Sequence, residues 1–237
     1  MKPAGSGKSG GSRRSPQAPA RAAVDALNAE AWDLMLVDPA AALEVANRAR
    51  EQASGLGFEQ GLASAWLNIG WCRSYLGDPH GGLEAAELAD GIYARSGGPE
   101  DRAKSLNLLG ALYYDTGRFD RALDFFSHSL DAARNAGLHG REAATLNNIG
   151  EVCLALGNAK EALANYRHAM SLDRDRELAL NRKVIELLMD DGQTESADQE
   201  IANYLDIPDV ADAERSWALG ARAQIQIDRG ELIDARA

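Results

Sequence analysis

The residues best equipped for chemistry in this chain do not form a site. Its four histidines are His80, His128, His139 and His168. A zinc hydrolase needs two histidines four apart with a glutamate between them, and a structural zinc needs clustered Cys or His. Neither pattern occurs. Asp190 and Asp191 precede Gly192, but the remaining ligand positions of a calcium loop are not filled. The stretch "GSGKS" has the ending of a phosphate-binding loop. That loop needs glycine five residues before Gly7, where Lys2 stands, and a strand before it. "SRR" at 12–14 has no apolar segment after it to act as an export signal. No strand–turn–helix nucleophile elbow and no dinucleotide turn is present. The expectation is a chain without catalytic residues, metal or cofactor.

Charge narrows the partners. The 237 residues carry a formal net charge of −11. Lys2, Lys8, Arg13, Arg14 and Arg21 fall in the first 21 residues, which hold no acid; the rest has 20 cations against 36 anions. An acidic body repels phosphate backbones, so nucleic acid is not expected on the folded part. No apolar run approaches the length of a membrane span. Residues 1–20, rich in Gly, Ser and Pro, are expected to be a disordered basic tail.

What the body does contain is repetition. "LNIGWCRSYLGDPHGGL" ends at Leu83, "LNLLGALYYDTGRFDRAL" spans 106–123 and "LNNIGEVCLALGNAKEAL" spans 146–163. Within the last, Leu146, Ile149, Cys153 and Leu154 share one helix face. Gly157 breaks that helix, and Ala162, Leu163, Tyr166, Ala169 and Met170 line the next. Each unit therefore reads as a helical hairpin that cannot bury its apolar face alone, so neighbours must stack. Gly70, Gly110 and Gly150 stand mid-helix, where glycine costs about 1 kcal/mol against alanine. Such a cost implies a helix passing very close. Cys72 and Cys153 sit in two different units, beyond the ~7 Å reach of a disulfide, and read as small buried thiols of a reducing cytoplasm.

These residues resemble the tetratricopeptide repeat: Leu106, Leu109, Gly110, Tyr113, then Ala122 and Phe126 after Gly117; Leu146, Ile149, Gly150, Cys153, then Ala162 and Tyr166 after Gly157. An earlier copy has Trp66, Ile69 and Gly70, with Gly82 and Ala86 replacing the usual alanine and aromatic. Weaker copies flank these. The resemblance implies an all-α fold, a right-handed superhelical stack of antiparallel helical hairpins in about eleven helices. The expected array covers residues 21–237, with hairpins at about 22–57, 61–97, 100–137, 140–172, 175–206 and 210–237. The last is incomplete, as in a piece of a longer protein. The period of about 40 exceeds the usual 34, and longer helices around 95–103 and 135–143 would absorb the excess.

The resemblance also implies where partners bind. The concave wall of first helices would present Trp71 and Tyr75; Lys104, Asn107, Tyr114 and Asp115; Asn147 and Glu151; then Arg182, Glu186 and Asp190. Aromatic rings beside amides and mixed charges suit an extended or helical peptide. Trp71 or Tyr75 could instead pack between hairpins as core. The carboxylate clamp of heat-shock co-chaperones is disfavoured, because Glu151 and Ala155 stand where its Lys and Arg belong. The expected function is a protein or peptide interaction module, the regulatory or sensory part of a larger cytoplasmic signalling protein of bacterial type. An output domain such as a diguanylate cyclase, a kinase or a DNA-binding domain would follow it. Two alternatives stand beside it: a receptor for a small signalling peptide or ligand in the groove, and a scaffold that forms homo-oligomers through its terminal hairpins.

Overall fold

A computed structural model describes residues 17–208 and 210–230, without the side chains of 174–177. Among the described residues are eleven α-helices and no strand. They fall into two compact units divided after Ile92. The first holds α1 (Ala18–Leu34), α2 (Pro39–Leu56), α3 (Glu59–Tyr75) and most of α4 (Pro79–Ser96). The second begins at Tyr93. It holds α5 (Pro99–Asp115), α6 (Phe119–Asn135), α7 (His139–Ala155), α8 (Ala159–Leu172), α9 (Arg174–Asp190), α10 (Thr194–Leu205) and α11 (Asp212–Asp228). The sequence tail falls largely at 1–16 and the incomplete end of the last hairpin at 231–237, both outside the described residues. Helix α1 takes in three residues of the expected tail, Ala18 to Ala20. Pro19 sits in its first turn, where the missing N–H had no helical partner to lose.

The hairpin turns follow from glycine at a left-handed position. Gly117 and Gly157 have φ of 71° and 79°. In each turn the residue after the glycine donates its N–H back across the end of the helix. Arg118 reaches the Tyr113 carbonyl at 2.9 Å, and Asn158 reaches Cys153 at 2.8 Å. This closes the orphan carbonyls and starts the next helix at once. The excess residues at 95–103 and 135–143 are taken up by helix: α4 reaches Ser96 before α5 starts at Pro99, and α6 reaches Asn135 before α7 starts at His139. The first helices α3, α5 and α7 begin at residues 59, 99 and 139.

The mid-helix glycines meet aromatic rings. A Cβ on Gly110 would lie 2.5 Å from the Phe126 ring, and one on Gly150 would lie 2.5 Å from Tyr166. Phe126 and Tyr166 are fully buried, so the α5–α6 and α7–α8 hairpins are each clasped by a ring seated on a glycine. Ala122 and Ala162, four residues earlier, are completely buried beside them. In the first unit the residues at the matching second-helix positions are Ala46 and Ala86, also buried. That unit packs α1 on α2, α2 on α3 and α1 on α3. Its contacts are made chiefly by Ala46, Ala49, Ala65 and Ala85 with Leu27, Val45 and Ile69.

Candidate functional site

In the first unit, α1 and α3 lie side by side and are pinned by amides. Asn68 Nδ2 donates to the Asn28 carbonyl at 2.9 Å, and Asn28 Nδ2 donates to the Gly61 carbonyl at 3.0 Å. Both asparagines are buried, so these bonds satisfy groups that would be costly unpaired. Trp71 packs against the core of Met35, Ala42 and Cys72, with Leu34 beside it. One turn on, Tyr75 stacks on Trp71 with centroids 6.2 Å apart and remains half exposed. Trp71 is thus a wall of the core and Tyr75 the ring that faces solvent. Burial pushes the Cys72 thiol up to about 11, and Cys72 and Cys153 are both free and buried.

In the second unit the first helices carry a polar ladder. Lys104 on α5 pairs with Glu100 at 2.8 Å, and Arg141 of α7 reaches the same carboxylate at 3.6 Å. The Lys104 hydrogen bond and charge hold the Glu100 carboxyl below its ordinary value, with a smaller effect from Arg141. The Asn107 Oδ1 accepts from Asn148 Nδ2 at 3.0 Å and from the Thr145 hydroxyl at 3.3 Å. Asn107 therefore ties α5 to α7 with its acceptor occupied. Asn147 donates to Asn148 Oδ1 at 3.2 Å, while its own Oδ1 is buried without a hydrogen-bond partner. Glu151 accepts from the Tyr166 hydroxyl at 2.8 Å and from Lys183 of α9. Tyr114, at the end of α5, leans on Phe119 at 5.6 Å. Its phenol is pushed up by burial first and by the charges of Glu151 and Asp115 after it. Arg182 forms an exposed pair with Glu186 at 3.0 Å and lies over the Trp217 ring of α11 at 4.7 Å. Asp115, Glu186 and Asp190 are exposed.

The sequence-selected residues thus fall into two groups, Trp71 with Tyr75 in the first unit and the rest in the second. Among the described residues no group of His, Cys, Asp and Glu could hold a metal ion, and no helix is long and apolar enough to cross a membrane. His128 and His168 are exposed on α6 and α8.

The family profile described as tetratricopeptide repeat matches residues 101–175, from α5 through α8. These residues belong to the tetratricopeptide repeat family. No curated protein sequence matches the chain. Among solved structures it is similar to BtubC (BKLC) from P. vanneervenii, with a TM-score of 0.63 at 17% identity over 92% of this chain and 85% of that one. It is likewise similar to pilF of Pseudomonas aeruginosa, with a TM-score of 0.63 at 15% identity over 92% and 95%. TTC0263, a thermophilic TPR protein of Thermus thermophilus, gives 0.60 at 19% over 84% and 98%. At these identities the likeness shows the fold, a tetratricopeptide-type α-solenoid.

Seen as tetratricopeptide hairpins, the second unit has side chains at the candidate site that periodicity did not single out. Lys183, next to Arg182, is the cation that meets Glu151. Trp217 receives Arg182, and Tyr204 meets Trp217 edge-on at 6.3 Å. A cleft of about 270 Å³ opens there beside Leu178, Arg182, Tyr204, Val210 and Glu214. These contacts join helices in the part of the array where the repeat shortens and register is hardest to carry forward. In the first unit the missed residues are Leu36 and Val37, highly exposed aliphatics in the α1–α2 turn. A signal for them existed: two aliphatic residues immediately before the helix cap Asp38, where polar turn residues are the rule.

Proposed function

We propose that this chain is a protein–protein interaction module. It binds a peptide segment of a partner on its first-helix faces and serves as the regulatory part of a larger signalling protein. The observation that carries the reading is how the hairpins divide their side chains. In the second unit glycines and aromatic rings are consumed by packing, while α5, α7 and α9 present Tyr114, Asn147, Glu151 and Arg182 along one run of helices. Asn147 keeps an acceptor without a partner, and rotation of an amide about its last torsion is soft. A peptide backbone N–H supplies the missing donor. Tyr114 and Tyr75 provide rigid contact area at low entropic cost.

The test is affinity capture with the full chain, followed by measurement of each recovered partner's Kd by titration. Tyr114→Ala or Asn147→Ala should weaken binding by about ten-fold or more and leave the far-UV CD spectrum unchanged, whereas His128→Ala on α6 should leave binding intact. Partners that bind both groove variants normally and lose affinity with His128→Ala would show that the second helices form the binding face. The regulatory role predicts a catalytic or DNA-binding domain in the same reading frame beyond residue 237, whose activity changes when the partner binds.

A further inference from the structure

Five of the six large exposed apolar side chains described in the first unit lie toward one end of α1 and α3; the sixth is Leu88 on α4. Leu36 is 78% exposed, Val37 83%, Tyr75 52% and Leu76 46%. Trp32, one helical turn before Leu36, is 48% exposed. The asparagine bonds hold α1 alongside α3, and Trp71 of α3 packs on Met35 at the end of α1. The two helix ends are therefore about one helix spacing apart, ~10 Å, which brings these apolar residues to the same end of the unit as a ledge. Scattered apolar residues on a surface are ordinary, but a cluster of this size marks an interaction site.

The surroundings define what fits. Residues 17–92 contain eleven acids and four arginines. Three of those arginines are engaged: Arg21 lies over Phe58, Arg50 over Trp66, and Arg73 donates to the Gly81 carbonyl at 2.9 Å. Asp33, Asp38 and Asp78, at or beside the ledge, are exposed. We infer that the ledge at the ends of α1 and α3 binds a partner segment carrying aliphatic or aromatic anchors flanked by lysine or arginine. This deepens the interaction reading above and rests on it. A second copy fits poorly, because the same acidic unit would face itself. The chain's own residues 1–16 have the charge, with Lys2, Lys8, Arg13 and Arg14. Their only apolar residues are Met1, Pro3, Ala4 and Pro16, which cannot fill an aliphatic ledge.

The probe is a randomised twelve-residue peptide library displayed on phage and selected on the full chain. Enriched peptides should combine Leu, Ile, Phe or Trp with Lys or Arg and be poor in acids. Synthesised peptides should bind at least about ten-fold more weakly to Leu36→Ser and Tyr75→Ser, lose affinity as salt rises, and bind Asn147→Ala normally. Several outcomes overturn the ledge. Enriched peptides that tolerate Leu36→Ser and Tyr75→Ser but lose affinity with Asn147→Ala keep the interaction reading and place the site in the second unit. Failure to enrich any peptide, or loss of affinity only with His128→Ala, removes both. A doubled mass by light scattering that Leu36→Ser abolishes assigns the ledge to a second copy. An increase in peptide affinity of about ten-fold on deleting residues 1–16 assigns it to the chain's own tail.

Discussion

The two units solve the same packing problem with different side chains, and the difference decides which surface each has to offer. At the matching second-helix position the first unit buries Ala46 and Ala86, while the second buries Phe126 and Tyr166. Alanine lets helices approach without a ring. The aromatic residues of the first unit then stand nearer its surface: Trp32 and Tyr75 are about half exposed, and Trp66 lies under Arg50 at the edge of the core. The second unit draws its rings inward and leaves its first helices with amides and charges that largely satisfy one another. A polar face whose bonds are already made gains from a partner chiefly where a group is left open, as at Tyr114 and the Asn147 acceptor, because elsewhere each new bond displaces an old one. An exposed apolar ledge gains by every Å² covered.

The sharpest way to break this comparison is to attack the clasp. Gly110→Leu and Gly150→Leu each push a side chain into a buried ring and should cost about 3 kcal/mol or more, read as a fall in the urea midpoint. Phe126→Ala removes the ring and should cost about 3–5 kcal/mol. The double variant Gly110→Leu/Phe126→Ala gives the hairpin a side chain on the glycine and an alanine in place of the ring, as the first unit has at Ala46. It should be more stable than the sum of the single changes implies, because each relieves the defect of the other. Strict additivity would mean that the two residues do not share one seat.

A smaller effect is expected at Tyr166. Burial, then the hydrogen bond and charge of Glu151, push its phenol above the ordinary value of 10.0. A group raised in the folded state stays neutral there while the unfolded chain ionises. Its contribution is therefore fully present below about pH 10 and is lost as pH rises further. The Cys72 thiol, raised from 9.0 to about 11, acts in the same direction from about pH 9. The urea midpoint should fall from pH 9 upward, and Tyr166→Phe with Cys72→Ala should flatten that fall. At neutral pH Tyr166→Phe should cost about 1–2 kcal/mol.

Legibility from sequence followed the same divide. The helical hairpins, the turn glycines and the close approach at Gly110 and Gly150 could be read because turn chemistry and small-residue spacing leave periodic marks. Trp71 and Tyr75 were legible as one stripe, but periodicity could not say which of them belongs to the core. Trp71 is partly buried against the cluster of Met35, Ala42 and Cys72, and Tyr75 is half exposed. That Asn107 is occupied by Asn148 and Thr145 while Asn147 keeps an unpartnered acceptor depends on side-chain geometry that spacing does not encode. The start of α1 at Ala18 was hidden because Pro19 reads as a breaker unless it is recognised as a first-turn residue.

At the small end, Lys183→Met should cost only about 0.5 kcal/mol, since both partners of its pair with Glu151 are partly exposed. Leu36→Ser and Val37→Ser should change stability by less than about 0.5 kcal/mol, because neither side chain is packed. A large loss from either would mean that the ledge is part of the core.

The most direct test of the account is amide hydrogen exchange of the full chain with and without a selected basic, apolar peptide. Binding at the ledge predicts slowed exchange at residues 34–38 and 74–78, the ends of α1 and α3, with 146–151 of α7 unchanged. Protection confined to α7, or appearing only on α6 and α8, would contradict it.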